Sequence, residues 1–503
     1  MDIFQNILNG FVVALTPINV FLCLIGCVIG TLVGVLPGIG PAATVALLIP
    51  VTFNISPATA IIMLAGIYYG AMYGGSTTSI LVNLPGEAAS AVTCIDGYQM
   101  AKQGKAGRAL GIAAFGSFIA GTIGVFLLMM IAPPVAELAL RFGPAEIFSV
   151  MVFGLTILSY LSSGSLIKAF IISTFGLFLA TIGIDISGVS RFTFGIPDLY
   201  DGIGLIPALM GLFGISEVFL NLEQVLGRTA FEAKIKGLLP NRDDWRASAI
   251  PIARGTLIGF LMGIIPGPSN TISSFISYAL EKRLSKHPEL FGKGAIEGVA
   301  GPEAANNSSC ASNFIPMLTL GIPTSPVMAV IMGALIIHGV TPGPLLIKNN
   351  PDIFWGTIAS MYIGNIMLLI LNLPLIGIWV QVLKVPYGIL FPLIFLFCLV
   401  GTYANNFSLF DLNVLIFFGF CGYLMRKAGF EPAPLVMAYV LCPFFEEAFR
   451  QSLIKSHGDF LIFFKRPVSA CILSLSFSFV IFTIFTEMKK KRKQWIEKIK
   501  EVS

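Results

Sequence analysis

Apolar residues run through this chain in long blocks, and the blocks set its architecture. Those at 109 to 132, 145 to 161, 166 to 184, 203 to 221, 354 to 380, 386 to 403, 409 to 425 and 468 to 487 are long enough to cross a bilayer as helices, since a helical span needs roughly 20 residues. Barrel strands are excluded, because they read as segments of about ten residues with alternating polarity. With its connector a crossing takes about 40 residues, so 503 residues predict an all-α polytopic membrane protein of about twelve transmembrane helices. The remaining apolar stretches are interrupted by Pro and Gly, which membrane helices tolerate only where neighbours re-satisfy the freed backbone.

Composition agrees with this reading and charge orients it. Apolar residues make up 56% and charged residues 11% of the chain, and mean hydropathy is +0.87, which rules out a soluble globular protein. The tail from Lys489 to Ser503 holds seven basic and two acidic residues, leaving 24 of each sign in the body, so the whole net charge of +5 sits at the C-terminus. The run Lys489, Lys490, Lys491, Arg492, Lys493 follows an apolar segment, as a cytoplasmic anchor on acidic membrane lipid does. No basic, aromatic-interleaved patch suits a nucleic-acid partner. Residues 1 to 101 contain no Lys or Arg, which places the N-terminus outside and the C-terminus in the cytoplasm. The first apolar segment has no basic flank and no small-residue cleavage site, so it reads as a retained membrane segment. The eight cysteines lie mostly in apolar runs with no CxxC pair, which suits packing rather than disulfides or a metal site.

The chain divides near its middle. Residues 221–254 form the longest polar stretch, carrying six basic and four acidic residues, and read as a cytoplasmic linker between a first membrane repeat (1–220) and a second (255–465). Residues 466–503 would form a final transmembrane helix and the basic cytoplasmic tail. Gly26, Gly30, Gly34, Pro37 and Gly38 recur as Gly255, Gly259, Gly263, Pro266 and Gly267, each displaced by 229 positions. A second echo displaced by 238 sets Asn83-Leu84-Pro85-Gly86 against Gly321-Ile322-Pro323-Thr324. A first copy starting outside and a second starting at a cytoplasmic linker run antiparallel, the plan of two inverted repeats found in many secondary transporters.

The interruptions carry the candidate chemistry. Proline removes an N–H and disfavours helix in the residue before it, so the helices should break near Pro37-Gly38 and Pro266-Gly267. Irregular backbone at membrane depth survives only where protein or water covers it. A restarting half-helix offers N–H groups and a positive dipole end to an anion. Gly40, Thr44, Ser269, Asn270 and Thr271 sit at or inside the restarts. The second break reads as a re-entrant hairpin entered from the cytoplasm, or else as one kinked span.

Two further patches, residues 69–87 and 301–326, are rich in hydroxyls and amides. Ser76, Thr77, Asn83, Pro85, Gly86, Asn306, Asn307, Ser308, Gly321, Pro323 and Thr324 complete the substrate-site candidates, and Asn83, Glu87, Glu303 and Asn307 are candidates for holding a coupling ion. Neutral donors recognise carboxylates without the desolvation cost of a buried arginine. Taken singly, the glycine run also reads as a close helix-packing face, many of the Ser and Thr as interhelical hydrogen bonds, and Glu87 and Glu303, each after a Gly or Pro, as loop residues. His338 reads as a hydrogen-bonded core residue, and Glu446, Glu447 and Arg450 as an internal salt-bridge set.

The strings Y-G-G-S-T-T-S-I-L-V-N-L-P-G-E, G-P-E-A-A-N-N-S-S and L-T-L-G-I-P-T-S, with the late P-F-F-E-E-A-F-R-Q-S-L, Gly458-Asp459 and Arg466-Pro467, resemble the large membrane subunit of the tripartite tricarboxylate transporters over nearly the whole chain. That resemblance implies a bacterial inner-membrane permease working with a small membrane subunit of about four helices and a periplasmic solute-binding protein, and driven by a sodium or proton gradient. It implies a carboxylate substrate, no cofactor and no ATPase; no G-x-x-x-x-G-K-[ST] occurs. Cys310 and Ser312 depart from the small or amide residues common there, so the particular carboxylate does not carry over. The rivals are an intramembrane enzyme on lipid-linked substrates, which the three scattered histidines argue against, and a passive anion channel.

Overall fold

The computed structural model describes residues 3–36, 40–161, 166–185, 188–223, 237–267, 269–383 and 387–481. Pro37, Gly38, the middle of the linker and the basic tail lie outside them. The helices that build the centre are numbered in chain order: α1 (Pro17–Val35), α2 (Pro41–Leu48), α3 (Pro57–Val82), α4 (Ala91–Lys102), α5 (Ala106–Ala139), α6 (Arg242–Gly263), α7 (Ser269–Leu284), α8 (Glu297–Ser312), α9 (Phe314–Leu320), α10 (Pro326–Ile337) and α11 (Pro351–Asn372). Further helices, among them Pro144–Leu161, Leu409–Lys427 and Pro432–Lys455, pack around them. A two-stranded ribbon, Gly183–Ile184 with Ser190–Arg191, is the only sheet among the described residues.

Proline starts many of these helices, where its missing N–H is not needed: Pro17, Pro41, Pro57, Pro326 and Pro351 each begin one. Ser56 and Ser325 cap α3 and α10 by accepting the N–H of Thr59 (3.2 Å) and Met328 (3.3 Å). Five helices among the described residues are long and apolar enough to cross a membrane: α1, α3, α5, α11 and Leu409–Lys427. Their surroundings differ sharply. The apolar window of α3 is 94% buried within the protein, against 33% for Leu409–Lys427, so α3 is a central post while outer faces expose side chains such as Phe126 of α5, Ile171 and Phe417.

The glycine register explains how α3 is enclosed. A Cβ on Gly26, Gly30 or Gly34 of α1 would lie 2.3, 2.2 and 2.3 Å from the carbonyl oxygens of Met63, Ile67 and Ala71, so only glycine lets the two backbones meet. The same holds for α6 on α8, where a Cβ on Gly255, Gly259 or Gly263 would lie 2.2, 2.1 and 2.6 Å from the carbonyls of Gly301, Ala305 and Ser309. Within each pair the contact positions rise together, so the helices run parallel. The receiving positions 63, 67, 71 and 301, 305, 309 differ by 238, the displacement already seen in the loop echo.

Several expectations need correction. The polar patches are mostly helix: residues 69–82 lie inside α3, and residues 301–320 fill α8 and α9, because packing on all sides overrides the glycine penalty of about 1 kcal/mol per residue. Glu303 is accordingly a buried mid-helix residue. Residues 242–254, taken with the linker, are the first half of α6, started by a capping box between Asn241 and Asp244. The block 354–380 breaks after Asn372 and resumes at Ile376. Glu446 and Arg450 pair at 2.8 Å, but they also hold Arg191 and Asp185 of the ribbon segment. His338 does hydrogen-bond, to Thr52 at 3.0 Å.

Candidate functional site

The second break turns the chain back on itself. Arg254 on α6 forms a bidentate pair with Glu281 on α7, and only a reversal between Gly263 and Ser269 brings residues 27 apart side by side. The turn is anchored by Gly267, in a positive-φ conformation, whose N–H donates to the Thr324 carbonyl at 2.7 Å. Its far side starts α7, and there Ser269 and Asn270, both buried, enter a polar seam between α3 and α8.

Asn270 is the hub of that seam. Its Oδ1 accepts from the Tyr68 hydroxyl (2.9 Å) and from Asn313 Nδ2 (2.9 Å), while its Nδ2 donates to the Asn306 carbonyl (3.1 Å) and Oδ1 (3.2 Å). Asn313 also donates to the Tyr68 hydroxyl (2.7 Å) and accepts from Ser269 (2.9 Å). Asn306 passes the network on to Glu87 Oε1 at 3.2 Å. Lower down, Glu303 accepts from the hydroxyls of Ser76 (2.6 Å) and Thr93. Asn307 donates to Ser117 of α5 at 2.7 Å, and Tyr73 donates to Asn365 of α11 at 2.5 Å. Tyr68 thus meets Asn313 while Ser76 meets Glu303, so α3 and α8 run antiparallel.

The seam is polar, buried and neutral in its donors. Among the described residues, none of the ion pairs includes Glu87 or Glu303. Two voids open on it. One of about 20 Å³ is lined by Tyr69, Tyr73, Asn307, Cys310 and Asn365 among others, and one of about 10 Å³ by Tyr73, Ser76, Thr77, Ser117 and Asn372. Each has room for about one water, so among the described residues the seam is filled by its own side chains.

The remaining candidates divide. Gly86 is wedged against the first break: a Cβ there would lie 1.9 Å from the Gly34 carbonyl and 2.6 Å from Gly75 Cα. Its counterpart Thr324 touches the Asn313 carbonyl at 3.3 Å. Pro323 is buried beside it, and Pro266 sits in the turn. Leu36 packs on Val33, Val382 and Ile394, Gly40 has nothing within 4 Å of a Cβ, and Thr44 bonds back to the Gly40 carbonyl. The described end of the first break meets α3, where Thr78 donates to the Val35 carbonyl (2.6 Å), and meets Gly86, which Glu87 follows into the seam. Ser308 bonds Thr256 on α6 (2.8 Å), Thr271 is half-buried outside the seam, and Pro85 is exposed. Asn83 is exposed in a left-handed conformation, φ 58°, ending α3 as Gly321, φ 68°, ends α9. Asn83 is a turn residue, and the seam does not include it.

Tyr68, Tyr73, Thr93, Ser117 and Asn365 were not singled out from the sequence. The signal for the last two was present as polar side chains inside long apolar spans.

A polytopic helical protein whose innermost helices enclose a neutral hydrogen-bonding seam, sealed from lipid, belongs to the class of membrane proteins that handle polar solutes. Comparison then gives the family. The family model described as "Tripartite tricarboxylate transporter TctA family" matches residues 20–437. The chain belongs to that family and is a component of a tripartite transporter, its large membrane subunit, not an enzyme. The Agrobacterium vitis "Uncharacterized 52.8 kDa protein in TAR-I ttuC' 3'region" is 50% identical over 493 residues, 98% of each chain. From the same organism, the "Uncharacterized protein in TAR-II ttuC' 3'region" is 50% identical over 236 residues, 47% of this chain and 98% of its own. No solved structure matches.

Proposed function

We propose that this subunit imports a small carboxylate across the bacterial inner membrane, driven by a sodium or proton gradient. A periplasmic binding protein delivers the solute, and a small membrane subunit of about four helices completes the complex. The observation that carries this reading is the seam itself, in which α3, α8 and the start of α7 bring Tyr68, Asn306, Asn313, Ser269 and Asn270 into one buried cluster. Neutral amides and hydroxyls at a helix N-terminus suit a carboxylate that must be released again.

Two inverted repeats are supported by the matching glycine contacts, by the left-handed ends at Asn83 and Gly321, and by the antiparallel run of α3 and α8. With the N-terminus outside, each repeat contributes one break and one long central helix, and the solute sits between them. Since the seam is filled by its own side chains, loading requires the hairpin of α6 and α7 to part from α3, an elevator-like displacement against the outer helices.

Reconstitution tests this. Proteoliposomes holding both membrane subunits, supplied with the binding protein, should accumulate labelled citrate, or a smaller di- or tricarboxylate from a panel, above its outside concentration when a sodium or proton gradient is imposed. Equilibration without accumulation would identify a passive channel instead.

A further inference from the structure

Three acids that join none of the described ion pairs lie near the centre, Asp96 and Glu303 buried and Glu87 partly buried, and their partners differ in a way that separates their roles. Asp96 Oδ1 accepts three backbone N–H groups, from Gly292 (2.8 Å), Gly294 (2.7 Å) and Ala295 (2.9 Å), and its Oδ2 accepts the Tyr278 hydroxyl (2.9 Å). Glu87 accepts the Ala89 N–H (2.6 Å) and the Asn306 amide (3.2 Å). Backbone and amide N–H groups only donate, so the three on Asp96 Oδ1 and the two on Glu87 favour the carboxylate and cannot turn round to receive a proton. Glu303 is different. Both of its hydrogen-bonding partners, Ser76 and Thr93, are hydroxyls, and a hydroxyl donates or accepts by rotating. When Glu303 gains a proton, one O–H bond forms on a carboxylate oxygen, one hydroxyl rotates, and the new O–H donates to it. The carboxyl therefore keeps a hydrogen-bonding partner in both states, and the rotated hydroxyl, where it is Ser76, turns its own O–H toward the void it borders.

The surroundings supply a reason for that proton and a route to it. Glu303 is 1% exposed, and an unpaired carboxylate in such a place is costly unless neutralised. The void of about 10 Å³ is bordered by Ser76, the hydroxyl on Glu303, and by Asn372, whose buried Oδ1 has no hydrogen-bond partner. One water fits there and would link Asn372 to Ser76 and so to Glu303. Titratable and charged groups facing Glu303 from its neighbours are Tyr73 on α3, Glu87, and Cys94 on α4; the Glu281–Arg254 pair lies a turn away beside Gly301. None of these brings a free cation to it.

We propose that Glu303 binds the coupling proton, taken up with the carboxylate on one side and released on the other. This rests on the carboxylate-transport reading and adds the identity of the ion and its carrier.

The complete complex in proteoliposomes, assayed with labelled citrate, tests it. Under an acid-outside gradient without sodium, wild type should accumulate citrate. Glu303→Gln, a fixed mimic of the protonated state, should lose accumulation at least ten-fold while still exchanging internal for external citrate, which also shows that it is folded. Accumulation driven by sodium alone, or undiminished proton-driven accumulation by Glu303→Gln, would overturn the proposal. If wild type neither accumulates nor exchanges citrate, the transport reading fails for that solute. The proton site is then read separately by infrared titration of the purified complex: a protonated-carboxyl band present in wild type and absent from Glu303→Gln supports it, and identical spectra refute it.

Discussion

Replacing Asn270 with leucine is expected to reduce carboxylate uptake by a hundred-fold or more while the protein still inserts and folds. Leucine keeps the branched skeleton of asparagine, in a somewhat larger volume, but returns none of its hydrogen bonds. Tyr68, Asn313 and Asn306 each lose a partner in a space closed to bulk water. An orphaned buried polar group costs about 1–3 kcal/mol, and each 1.4 kcal/mol is about a factor of ten in an equilibrium, so two orphans suffice for the expected loss. The bundle itself survives, because the helix contacts of α6 on α8 and α1 on α3 lie elsewhere and are made by backbone. The measurement is initial uptake of labelled citrate in proteoliposomes beside the thermal midpoint of the purified complex. Uptake within two-fold of wild type would remove Asn270 from the site.

Gly259→Leu should have the largest effect on folding. A Cβ at position 259 meets the Ala305 carbonyl oxygen at 2.1 Å and its Cα at 2.8 Å, and both are backbone atoms in mid-helix that cannot swing aside. The helices α6 and α8 must separate, and overpacking costs about 1–3 kcal/mol, more where backbone has to move. Separation also carries Glu303, Asn306 and Asn307 away from α3. Gly30→Leu repeats the experiment in the other half, against the Ile67 carbonyl at 2.2 Å. Both variants should lose the monodisperse peak of folded protein in detergent chromatography, whereas Gly40→Ala, with nothing within 4 Å, should keep it. Normal peaks for Gly259→Leu and Gly30→Leu would mean that close backbone approach is dispensable.

These two residues show what the sequence made legible. The glycines at 26, 30, 34 and at 255, 259, 263 were visible as a spacing, and spacing is all that a parallel helix contact requires. Pro266-Gly267 was readable as a break because proline and a positive-φ glycine each disfavour continued helix. The polar patches were readable as composition but not as conformation. G-A-M-Y-G-G-S-T-T-S looks like a loop by propensity, and burial on every side makes it helix instead. Asn83 and Asn306 look alike in the sequence, and only the tertiary structure shows that the first turns the chain at an exposed end while the second faces the hub. Ser117 and Asn365 are single polar residues in spans otherwise given to packing, and their partners Asn307 and Tyr73 lie on other helices far away in the chain.

Cys310 offers the most direct view of the seam. It is 2% exposed and lines the larger void with Tyr69, Tyr73 and Asn307, so a maleimide reaches it only when α3 and α8 are accessible to solvent. In a complex retaining Cys310 alone of its eight cysteines, the labelling rate should be measurable while the transporter cycles. Saturating citrate, or whichever di- or tricarboxylate of the panel is accumulated, should suppress that rate ten-fold or more. A rate unchanged by a solute that the complex transports would contradict a carboxylate site between α3 and α8.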